Sequence, residues 1–155
     1  MKKGLKLTLL IVLGLFGVVS MITPAFRAIV SNSTSKIWTY SLYIRMFGGG
    51  NPKVGNTGPL TLAWIFALVA LITTVILIIL NFLDYEMSKK AQIITYSFIL
   101  VFYLTAGTLV IFAPQLIGNT ASSSLGIGSI LTSSSMYGGF IISFILVLYT
   151  LIIKE

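Results

Sequence analysis

The chain has 155 residues, 57% hydrophobic and 8% charged, with a mean hydropathy of +1.05 and a formal net charge of +7. That balance lies far outside the range of soluble domains. The lack of cysteine and histidine excludes thiolate and imidazole metal sites, haem ligation by histidine and disulfides. The ten basic residues are scattered over termini and loops, so nucleic acid is not an expected partner.

Four apolar stretches, 7–26, 60–83, 91–117 and 136–153, contain no Asp, Glu, Lys or Arg. Each approaches or exceeds the roughly 20 residues that cross a bilayer at about 1.5 Å rise per residue. The expected fold is an all-α membrane protein: one domain over 1–155, a four-transmembrane-helix bundle built as two helical hairpins. The first stretch follows Met1-Lys2-Lys3-Gly4-Leu5-Lys6 and resembles a secretory signal, but is read as a signal anchor and first span. Gly14 and Gly17 thin one side of it.

The first outer loop, 27–59, is the most distinctive segment outside the spans. It holds an Asn32-Ser33-Thr34 glycosylation acceptor pattern at Asn32. Residues 37–47 alternate aromatic and β-branched with polar residues before Gly48-Gly49-Gly50, which favours a short β segment over an interfacial helix. A lone strand cannot hide its edges and needs a partner. Trp38, Tyr40, Leu42, Tyr43, Ile44 and Arg45 are therefore the candidate partner-contact residues. The run 48–59 is turn chemistry without a phosphate-loop ending.

In the second span, Ala63, Ala67, Ala70 and Thr74 form a narrow stripe of small residues suited to close helix approach. The turn 84–90 carries Asp84, Glu86, Lys89 and Lys90. With Lys2, Lys3, Lys6 and Lys154 it makes one side densely basic, so both termini are expected in the cytoplasm, in a multi-pass plasma-membrane topology. Arg27, Lys36, Arg45 and Lys53 lie on the other side with no carboxylate beside them.

The third span is the most polar, and Tyr96, Tyr103 and Gly107 fall near one face at i, i+7 and i+11. The second outer segment, 118–135, is uncharged and rich in Ser, Thr and Gly, and is read as a loop. In the fourth span Gly139 and Ser143 make a small-xxx-small pair, the other candidate helix-packing site beside Ala63, Ala67 and Ala70.

Four helices with a long, Trp38-bearing first outer loop resemble claudin-like tetraspan proteins in architecture. Their Trp-Gly-Leu-Trp stretch and paired cysteines are absent, so the resemblance carries no site residue across. Without a carboxylate or histidine in the spans, no acid, base or nucleophile is evident. Neither catalysis nor a cofactor is expected.

The leading expectation is a non-catalytic subunit that packs on a larger membrane complex of the respiratory or transport type. Its partners would be membrane lipids and other integral membrane subunits, or further copies of itself. A self-assembling channel or small-solute pathway is the second reading, and a surface adhesion tetraspan the third.

Overall fold

A computed structural model of the chain describes residues 3–30, 33–38, 58–116, 122–124 and 127–152. Four long helices dominate it: α1 (Lys3–Ile22), α2 (Gly58–Phe82), α3 (Lys89–Leu116) and α4 (Ile127–Ile152). All four are long and apolar enough to cross a membrane. They run alternately up and down, and each packs on two neighbours. Helix α1 lies between α2 and α4, and α3 completes the square opposite it.

The first helix ends four residues before the apolar stretch 7–26 does. Pro24 disfavours helical geometry in the residue before it. Thr23 closes the helix, its amide donating to the Val19 carbonyl at 3.1 Å and its hydroxyl to the same oxygen at 2.7 Å. From Pro24 the chain is extended. Strand β1 (Pro24–Val30) pairs antiparallel with β2 (Ser33–Trp38), and the short β3 (Ser122–Ser124) joins the other edge of β1, giving the order β2-β1-β3. A bulge lies between Pro24 and Phe26. The sheet sits against the ends of α3 and α4.

Of the segment 37–47 anticipated as a strand, Ile37 and Trp38 close β2, and residues 39–47 lie outside the described residues. One expectation is corrected. The segment 118–135 is not one loop, because α4 already begins at Ile127. Serines in its first turns are held inside the helix by bonds to their own backbone: Ser133 to the Ile130 carbonyl at 3.1 Å and Ser135 to that of Leu131 at 2.8 Å.

At the opposite end α2 closes in a Schellman motif. The Tyr85 amide donates to the Leu80 carbonyl at 3.0 Å and the Asp84 amide to that of Asn81 at 3.4 Å, with Asp84 in the left-handed region at φ 56°. Ser88 then caps α3, accepting the Ala91 amide at 3.3 Å. Two caps in so short a turn reverse the chain with little exposed backbone.

Candidate functional site

The bundle interior is built from small residues on α2 and large ones on α3. Ala63, Ala67 and Ala70 are fully buried, as is Thr74, whose hydroxyl donates to the Ala70 carbonyl at 2.8 Å. Their spacing leaves room for the α3 face that carries Tyr96, Ile99, Tyr103, Ala106 and Val110, all buried. Leu10 and Leu13 from α1, with Met136 and Leu146 from α4, close the core.

Tyr103 spans the middle of the square. A Cβ built on Gly139 of α4 would lie 2.8 Å from its Cδ2 and 3.0 Å from its Cγ, so the root of the ring lies flat against that glycine. At its far end, a Cβ built on Gly17 of α1 would come within 2.5 Å of the hydroxyl and 2.8 Å of Leu71 Cδ1. One side chain of α3 therefore touches α4 and reaches α1 across the diagonal. Its hydroxyl and that of Tyr96 have no hydrogen-bond partner among the described residues. Gly138 receives the ring of Phe16, and Gly107 faces Tyr137 and Met136.

The other interior hydroxyls are mostly satisfied locally. Ser143 donates to the Gly139 carbonyl at 2.8 Å and Ser20 to that of Gly17 at 2.7 Å. Thr23 and Thr132 share a buried 2.7 Å contact between α1 and α4. Either hydroxyl can donate in this pair. At the turn end, Lys6 Nζ donates to Gln92 Oε1 at 3.3 Å, and Gln92 Nε2 donates to the Met87 carbonyl at 2.7 Å. That relay ties the start of α1 to the start of α3 and to the turn before it. A group of His, Cys, Asp and Glu able to hold a metal does not occur among the described residues.

The outward faces are apolar, as a bilayer requires. Helix α1 buries the smallest share of its span. From Thr8 onward its exposed positions, Thr8, Ile11, Leu15, Val18 and Ile22, recur at alternating steps of three and four. Sequence reasoning passed over this stripe, because α1 is apolar all round and only the positions of its neighbours show which side is left uncovered.

Of the candidate contact residues, Trp38 lies at the end of β2 as the register partner of Pro24. Tyr40, Leu42, Tyr43, Ile44 and Arg45, and the acceptor Asn32, lie outside the described residues. The packing candidates are all buried, Gly139 and Ser143 on α4 and Ala63, Ala67 and Ala70 on α2, two helices at opposite corners of the square. Comparison with protein-family models, with curated proteins and with solved structures finds no match.

Proposed function

We propose that the chain is a non-catalytic integral membrane subunit that packs on and stabilises a larger complex of the respiratory or transport type, in the plasma membrane with both termini cytoplasmic. The observation that carries this reading is the α1 stripe. Leu15 is 59% and Ile22 61% exposed, and steps of three and four are those by which one helix seats against another. The β-branched residues Ile11, Val18 and Ile22 lose little side-chain freedom when a neighbouring helix covers them. The orientation rests on the basic residues that flank the turn end of the bundle.

A channel is the weaker reading. Buried hydroxyls do gather at the sheet end of α1 and α4, at Ser20, Thr23, Thr132, Ser133 and Ser135. Beyond them the axis of one copy is filled by Tyr103, Ile99 and Leu13. A conducting path would have to run between copies.

The chain lacks cysteine, so a single Leu15→Cys variant carries one reactive thiol. Labelled with a benzophenone maleimide and irradiated in native membranes, it is expected to give a discrete adduct with a different protein, identified by mass spectrometry. Ile94→Cys, on an exposed position of α3, is the comparison. Adducts with lipid alone from Leu15→Cys would sink the subunit reading. An adduct of two copies of the chain would favour self-assembly.

A further inference from the structure

The register of the small sheet sets two cations side by side. Arg27 on β1 is the Cα partner of Lys36 on β2 and of Ser124 on β3, so three neighbouring positions across the sheet read Lys, Arg, Ser. Directly opposed residues of an antiparallel pair share a face, with Cα atoms about 4.5–5.5 Å apart, and like charges so placed repel. An anion placed between them would relieve that repulsion. The connections at this end, 23–57 and 117–126, contain no Asp or Glu. Of the three carboxylates, Asp84 and Glu86 belong to the turn at the other end, and Glu155 follows α4, which runs away from the sheet. An anion that relieves this repulsion would come from outside these connections.

The three residue types select its chemistry. A guanidinium offers a planar fork of donors, an ammonium a compact charge and a serine a hydroxyl, the set that recognises a tetrahedral oxyanion. Position selects its source. Strand β1 starts two residues after Ile22, where α1 ends, so Arg27 stands at most about 17 Å of extended chain beyond the span. The sheet also stays against the ends of α3 and α4, which holds it at headgroup depth.

We propose that the register positions Lys36, Arg27 and Ser124 form a binding site for a phosphate group, supplied by the headgroup of an anionic phospholipid. The test uses the full chain in neutral detergent. Phosphatidylglycerol or phosphatidylcholine is titrated in, and retained lipid is counted by native mass spectrometry. Inorganic phosphate against chloride at matched ionic strength forms a second arm, read by thermal unfolding. Phosphatidylglycerol is expected to be retained over phosphatidylcholine, about fivefold less for each of Arg27→Gln and Lys36→Gln. Lys90→Gln, at the far end of the bundle, should retain it as the parent chain does.

The repulsion adds a reversal of sign that a purely structural arginine would not show. Without any phosphate, Arg27→Gln raises the unfolding temperature; with phosphatidylglycerol it lowers it. Undiminished retention by the Arg27→Gln/Lys36→Gln double variant overturns the site, as does destabilisation by Arg27→Gln when no phosphate is present. Stabilisation by inorganic phosphate equal to that by phosphatidylglycerol overturns the lipid as its source.

Discussion

Replacing Gly139 with leucine is expected to destabilise the bundle by about 3 kcal/mol, the upper range for overpacking a core. A Cβ at this position meets the root of the Tyr103 ring, where a rotamer change gives least relief. Nor can the ring slide away, because its hydroxyl end is already against α1 at Gly17. The measurement is the midpoint of unfolding in mixed micelles on titration with a denaturing detergent. A second substitution identifies the collision: Gly139→Leu with Tyr103→Leu should recover more than half of the loss, and Gly139→Leu with Tyr103→Phe little of it. The ring carbons collide with the new side chain, and removing the hydroxyl does not move them. Equal recovery by both would place the clash elsewhere.

Ala70→Leu should cost nearly as much, about 2–3 kcal/mol by the same mechanism. Ala70 is fully buried on the same face of α2 as Ala63, Ala67 and Thr74. The outward-facing Ile72→Leu on the same helix should change the midpoint by less than about 0.5 kcal/mol, as expected of a volume-conserving exchange at an exposed position. If Ala70→Leu proved as mild as Ile72→Leu, α2 would not approach its neighbours through its small residues.

Much of this fold can be read in the sequence, for definite reasons. The spans announce themselves because a bilayer tolerates few charges, and the chain places none in 7–26, 60–83, 91–117 or 136–153. The alanines of α2 show their buried side because small residues at steps of three and four in an otherwise bulky helix leave few other roles. Tyr96 and Tyr103 stand two helical turns apart, which already aligns them on one face of α3. What escaped reading depends on which elements become neighbours. That Tyr103 would lie between Gly139 and Gly17 follows from the square order of the helices, and no local pattern encodes that order.

The sheet was hidden for a related reason. Strand β3 is three serines, a composition with no strand signal, and it becomes a strand because β1 offers it an edge. The end of α1 was misplaced because Pro24 lies inside an apolar run that continues to Phe26, and apolarity outweighed the proline. The start of α4 was misplaced by the opposite bias: Ser133 and Ser135 look like loop until their hydroxyls turn back to helix carbonyls. The α1 stripe, on which the functional reading rests, becomes visible only once the covered faces are known.

The central claim is an arrangement: α1 packs against α4 at the sheet end, leaving its opposite face free for a partner. The contact between Thr23 and Thr132, 2.7 Å between hydroxyl oxygens, tests it most directly. In a chain without cysteine, Thr23→Cys with Thr132→Cys leaves two thiols and no competitors. Mild oxidation in the membrane is predicted to close one intramolecular disulfide in most molecules, read as the loss of both alkylatable thiols without a change in monomer mass on a gel. Thiols that stay free, or that link only one copy to another, would contradict the arrangement.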